Sequence, residues 1–250
     1  MPLPSRKDEA WRYTSVGFLE QVEYQPVVEG PFDAIQPSDI DDLLLPQSQG
    51  PRLVFVNGYL ATGVSDLVHQ QEGIQLRSLA GGLGDVSVEL RRHLDGFAKH
   101  RHVFAALNSA LMSDGALIHV GRDVSARAPI EILHISIGME QPGISHPRHL
   151  IVLESGARAE VTERYACLGD ARYFNNALVE VALGADSELL RQRLAGNNVL
   201  QDLATQQKNK GFQDALTEIR KEVEGGSNLS NAMKKHPKIF NELYTSLIQA

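Results

Sequence analysis

From Ala116 to Leu183 the sequence abandons a helical rhythm for short apolar or alternating runs: Ala116 to Val120, Ile130 to Ile137, His149 to Leu153, Ala159 to Glu163 and Ala177 to Leu183. Runs of that length, bounded by glycine and polar residues, suit strands rather than helices. Gly121, Gly138 and Gly156 follow one another at intervals of 17 and 18, and a Gly-Ala-x-x-Glu turn occurs twice, at Gly156 to Glu160 and at Gly184 to Glu188. Near-regular strands with few helical interludes predict the stacked rungs of a right-handed parallel β-helix. A β-sandwich satisfies the same pattern and remains its competitor.

The flanks read differently. Residues 1–50 are rich in proline and acid, with a broken pattern around Trp11, Tyr13, Val16, Phe18 and Leu19 that predicts one short helix and then an irregular arm. Leu53 to Val56 reads as a buried strand stopped by the turn dipeptide Asn57-Gly58. Val103, Phe104, Ala106, Leu107, Ala110 and Leu111 recur at helical spacing, and Asp114-Gly115 is expected to close that helix with a C-terminal glycine. In the tail, Phe212, Ala215, Leu216, Ile219 and Val223 share a helical face. Gly225-Gly226 stop that helix, Ser227 or Ser230 caps a second that Pro237 ends, and a third carries Ile239, Phe240, Leu243, Tyr244, Leu247 and Ile248.

Composition changes near Leu194. Up to that residue the basic side chains are 15 Arg and only 2 Lys; beyond it they are 6 Lys and the single Arg220. Four Asn precede the boundary and six follow it. Two segments of different origin, joined at Leu194 to Gly196, explain the shift most simply. The net charge of −7 resides in the first segment, which argues against a nucleic-acid surface. One cysteine, Cys167, forms no internal disulfide and points to a reducing cytoplasm. No run approaches the about 18 apolar residues of a membrane span, and the N-terminus lacks a signal-peptide core.

Several stretches of the first segment resemble the SufB/SufD family of iron–sulfur cluster assembly proteins, closest to the SufD branch. They are Arg6 to Thr14, Leu53 to Gly58, Phe104 to Ala110 with Asp114-Gly115, Pro147 to Val152, and Tyr173 to Ala177, in the family's order over residues 5 to about 194. The resemblance implies an N-terminal helical region leading into a right-handed parallel β-helix. It also implies a non-catalytic scaffold subunit, paired with SufB-like and SufC-like partners, with the iron–sulfur cluster belonging to the complex and no cofactor held by this chain alone. In the tail, Gln206 to Phe212, Glu224 to Ser230 and His236 to Phe240 resemble the cytoplasmic helical domain of the GspF/PilC platform proteins of type II secretion and type IV pili. Both resemblances imply truncated segments, the first breaking off inside the β-helix. The expected organisation is thus a mixed fold: an N-terminal α+β region over 1–115, β-helix rungs over 116–194 and a small all-α domain over 195–250.

Candidate site residues are few. His134, His146 and His149, with His119 nearby in sequence, have metal-ligand chemistry. His146 and His149 flank Pro147, so solvated or backbone-bonded side chains are the favoured reading. Cys167 between Ala166 and Leu168 reads as a small core residue. Glu131, Glu154, Glu160, Glu163 and Glu180 would serve a carbohydrate-active β-helix only if gathered on one groove. Trp11 and Tyr13 read as anchors of the arm, and Lys234-Lys235 with Lys238 as a solvated face. Phosphate loops, nucleophile elbows and His-Glu-x-x-His motifs are absent from the sequence. No catalytic, cofactor-binding or metal residue is assigned. The expected function is a scaffold in iron–sulfur cluster assembly and not an enzyme, with a secretion or pilus platform fragment as the alternative.

Overall fold

The computed structural model describes residues 3–5, 7–12, 16–28, 35–44, 50–67, 71–82, 93–94, 103–195, 210–224 and 229–237. The chain divides into two compact units, Met1–Leu194 and Ala195–Ala250.

The first unit is mostly β-sheet with a few short helices. One sheet joins β1 (Gln25–Pro26), β7 (Gly143–Ser145) and β10 (Tyr173–Asn175) in the order β1-β7-β10. A second joins β4 (Ile74–Ser78), β5 (Ala116–Val120), β8 (Arg148–Leu153) and β11 (Leu178–Leu183) in the order β11-β8-β5-β4. The third joins β2 (Arg52–Val56), β3 (Tyr59–Leu60), β6 (Ile130–Ile137), β9 (Arg158–Leu168) and β12 (Glu188–Ala195) in the order β12-β9-β6-β2-β3. From β5 onward the chain visits the second, third and first sheets in turn. Each return lays a strand beside its predecessor, and the pairings described among β5 to β11 are parallel. Among the described residues, antiparallel strand pairing joins β2 with β3 and β4 with β5, and an isolated antiparallel bridge joins Arg52 and Asp66. Strands on either side of residue 115 therefore share ladders, since β2 pairs with β6 and β4 with β5.

The repeat that builds these ladders is not the glycine interval. Leu117 pairs with Leu150, Ile130 with Val161 and Tyr173 with Gly143, at offsets of 33, 31 and 30. The two Gly-Ala-x-x-Glu copies are likewise out of register. The Gly156 amide bonds to Ala185 O, while the Gly184 amide bonds to Leu153 O. What stacks is a positive-φ position: Asp123 (+58°), Gly156 (+73°) and Asp186 (+56°) occupy successive turns. Small polar residues and glycine are those that tolerate this conformation.

The apolar side chains sort into three cores. Leu53, Phe55, Leu76, Ile118, Ile132, Ile151 and Val161 fill the space shared by the second and third sheets. The opposite face of the third sheet, through Val54, Val56, Leu133 and Ile135, packs against Ile35 and Ile40 beside helix α1 (Pro37–Ile40). The opposite face of the second, through Leu117, Leu150 and Val152, packs on Leu79, which opens helix α2 (Leu79–Gly82). Strands covered on both faces have no polar alternation, which is why β8 is buried along its whole length.

Several local expectations change. Around Trp11 to Leu19 the described residues form two 3-10 turns, Glu9–Trp11 and Gly17–Glu20, instead of one helix, and the arm contributes β1 as a strand and a further 3-10 turn, Asp41–Leu43. Asn57-Gly58 turns the β2–β3 hairpin with both residues at positive φ. Helix α3 (Val103–Leu111) forms as its spacing predicts, but Gly115 does not cap it. A Cβ on Gly115 would lie 1.6 Å from the Arg148 carbonyl oxygen, so glycine is required there by close approach of two backbones.

The second unit contains helices α4 (Lys210–Glu224) and α5 (Leu229–Lys234), with Ile219, Ala232 and Met233 buried together. Ser230 lies within α5 rather than at its cap. The third expected helix, Tyr13, Gly225-Gly226 and Ser227 lie outside the described residues. Among the described residues no helix is long and apolar enough to cross a membrane.

Candidate functional site

Parallel register in the third sheet places Phe55 beside His134 and His134 beside Tyr165. The side chains follow the backbone. The ring centroids of Phe55 and His134 are 5.4 Å apart, those of His134 and Tyr165 4.6 Å, and the Arg193 guanidinium caps the column 4.7 Å from the Tyr165 ring. Glu163, two residues before Tyr165, presents its carboxylate on the same face. His149 enters from β8 in the second sheet, its ring 5.0 Å from that of His134. His134, His149 and Glu163 are all buried and offer ligand-type atoms within 4.8 Å of one another.

Electrostatically the cluster is closed. Burial alone would push the Glu163 carboxyl up, but the hydrogen bond from the Tyr165 hydroxyl, with His149, Arg191 and Arg193 nearby, holds it below the usual range. Arg191 forms an ion pair with that carboxylate, and Arg193 Nε lies 3.5 Å from it. Burial and the adjacent Glu163 push the Tyr165 hydroxyl well up, so it stays a neutral donor. Burial lowers His149 to about 4, and burial, with His149 and Arg193 nearby, lowers His134 well below its ordinary value. Both rings are neutral at pH 7. The His134 and His149 Nε2 atoms are 3.0 Å apart, and the Ala116 amide donates to His149 Nδ1 at 2.8 Å.

Of the histidines singled out in the sequence, the structure brings together His134 and His149. His149 lies on β8 and is backbone-bonded, not solvated. His146 is also buried, with Nδ1 3.0 Å from Asn176 Nδ2. His119 lies apart, 3.0 Å from Glu154. The acids do not share a groove. Glu131 bonds Arg164 at 3.0 Å, Glu180 bonds Arg148 at 3.0 Å, and Glu160 is only half-buried. Cys167 Sγ lies 3.2 Å from Gly169 O and outside the cluster. Trp11 stacks on Phe104 at 5.5 Å, an anchor for the arm. Lys235 pairs with Glu222. Tyr165, Arg191 and Arg193 escaped the sequence reading, yet a signal existed. Glu163–Arg191 and Tyr165–Arg193 are each 28 residues apart, close to the 30 to 33 residue offset of the parallel strand pairs.

Residues 187–250 match the family model for Type II secretion system (T2SS), protein F. A type IV pilus assembly protein PilC of Thermus thermophilus is 36% identical over 98 residues, covering 39% of this chain and 22% of that protein. Other matches are longer. An iron-sulfur cluster assembly protein SufD of Escherichia coli is 30% identical over 200 residues, covering 79% of this chain and 44% of that protein. An iron-sulfur cluster assembly SufBD family protein of Synechocystis is 25% identical over 199 residues, covering 76% of this chain. The chain thus spans less than half the length of these two relatives, 44% and 43%. The family model for the SufBD protein N-terminal region matches residues 1–132, more than half of the sequence, and the chain belongs to the SufBD family.

Proposed function

We propose that the Met1–Leu194 unit is a non-catalytic scaffold element of iron–sulfur cluster assembly that associates with SufB-like and SufC-like subunits, the cluster being cargo of the complex. The observation that carries this reading is the state of the interior polar groups. Glu163 is neutralised by Arg191 and Arg193 and bonded by Tyr165, and the lone Cys167 stands apart. One thiol outside a neutralised carboxylate cluster is a poor donor set for an iron–sulfur cluster, which draws on several thiolates. The ordered return of the chain to three sheets supports reading them as faces of a right-handed parallel β-helix, a stiff form suited to presenting surface. For Ala195–Ala250 we propose a helical module of the secretion and pilus platform type, supported by the match over residues 187–250, and a separate origin for the two segments.

Two measurements test the scaffold reading. Co-expression with SufB-like and SufC-like subunits is expected to give a complex that survives size-exclusion chromatography; elution of the chain alone would refute association. Anaerobic reconstitution of the isolated chain with iron and sulfide is expected to leave no stoichiometric cluster. A stable chromophore lost in Cys167→Ser would overturn the second point.

A further inference from the structure

The Ala116 amide donates to His149 Nδ1 at 2.8 Å, so that nitrogen holds a lone pair and the neutral ring carries its proton on Nε2. This Nε2–H faces His134 Nε2 at 3.0 Å, which must accept. His134 therefore carries its proton on Nδ1, a buried nitrogen with no hydrogen-bond partner among the described residues. One backbone amide fixes two tautomers in series.

The lock has two consequences. A metal ion between the two Nε2 atoms would force His149 either to carry a proton on Nδ1, against the Ala116 amide hydrogen, or to become an imidazolate. Glu163, the third group of ligand type, is already engaged by Arg191 and Arg193, whose charges would oppose a dication. Protonation meets the same obstruction. A second proton on His149 must go to Nδ1 and displace the Ala116 amide; a second proton on His134 must go to Nε2 and oppose the His149 Nε2–H. Around the pair, Arg191 and Arg193 of β12 disfavour proton uptake, Glu163 of β9 and Asp114 beside β5 favour it, Tyr165 of β9 is neutral, and Phe55 of β2 supplies an uncharged wall.

We infer that the His134–His149 pair is not a metal centre but an acid-sensitive latch that ties the first residue of β5 to β8 and releases it when His149 takes a second proton. The latch stands on its own geometry, whether or not the chain binds assembly partners. It acts at a junction, because Asp114, two residues before Ala116, accepts hydrogen bonds from Leu60, Ser78 and Ala80.

Nitrogen-15 NMR of the full chain tests it. At neutral pH the two-bond imidazole correlations are expected to show His149 protonated on Nε2 and His134 on Nδ1, unchanged by one equivalent of Zn²⁺. On acidification, protection of the Ala116 amide from exchange, taken relative to Ile118 on the same strand, is expected to fall as His149 titrates, roughly tenfold per pH unit below about 4. In His149→Gln, which keeps an acceptor but does not titrate, that relative loss should vanish. Zn²⁺-induced shifts of both rings would overturn the inference. So would an Ala116 amide that stays protected through the titration, or that loses protection only together with Ile118, or an unchanged loss in His149→Gln. If the variant does not fold, the wild-type titration decides alone.

Discussion

At Gly156 the backbone φ is +73°, and a Cβ placed there would come 2.1 Å from Asp123 Oδ1 in the neighbouring turn. Gly156→Ala is therefore opposed both by conformation and by contact, and is expected to destabilise by ~1–3 kcal/mol, read as a lower urea midpoint at unchanged slope. An unchanged midpoint would show that the turn relaxes freely. Asp123 and Asp186 hold the same position with side chains, which is why a search for recurring glycine gave intervals of 17 and 18 and missed the repeat. The histidines make the second prediction at this scale. Their folded-state affinity for protons is depressed, so the unfolded chain binds more protons as pH falls below about 6.5. The stability from neutral burial is fully present above that value and is lost on descending through the folded value of about 4, on the order of 3 kcal/mol for His149. Urea midpoints measured between those limits should fall with acid more steeply in the wild type than in His149→Gln. Equal slopes would assign the acid sensitivity to other groups. His134 and His149 were visible in the sequence as residue types, but their meeting was not, because it depends on a second sheet crossing the face of the third.

At the level of elements, charge follows the rungs. Glu131 with Arg164, Arg148 with Glu180 and Arg158 with Glu188 are pairs at sequence separations of 33, 32 and 30, joining adjacent parallel strands. Parallel strands stack like positions one rung apart, so complementary charges at that offset meet. Arg148 and Glu180 are the buried case, 3.0 Å apart with side chains 3% and 2% exposed, and Arg148 also donates to Ser109 of α3. Arg148→Met strands a carboxylate in the interior and is expected to cost ~3–5 kcal/mol, whereas Arg148→Met with Glu180→Leu should recover much of that loss. Denaturation of the two variants checks it, and a double variant no better than the single would show that the pair specifies local structure beyond its charge. Strand existence was legible because β-branched and aliphatic runs of five to eight residues admit few alternatives. Ladder partners were not, since the 30 to 33 residue offset emerges only when the pairs are in hand. Gly115 was misread for a related reason. Its glycine answers to Arg148, whose strand lies a full rung later.

For the molecule as a whole, the shift from Arg to Lys falls near Leu194, and the chain clusters into two compact units, Met1–Leu194 and Ala195–Ala250. What composition does not give is the difference in stability between the units. The first has three cores, with Leu53, Val54, Phe55, Ile118, Ile132, Leu133 and Ile151 fully buried. The described part of the second buries Ile219, Ala232 and Met233, with Val223 packed against them. Its ion pairs, Lys235 with Glu222 and His236 with Glu218, involve exposed partners and contribute little. The core among its described residues is small, and a small core supplies little stability. We therefore expect the helical unit to unfold at lower urea than the β unit in the intact chain. Trp11, the single tryptophan, packs on Phe104 and reports the first unit through its fluorescence, while α4 and α5 hold more of the described helical residues than α1, α2 and α3 together and so carry a large share of the far-UV helical signal. The helical signal should fall first, with an intermediate retaining native Trp11 emission. Coincident transitions by both probes would mean that the two units unfold as one cooperative body, and that the small helical core draws its stability from the larger unit.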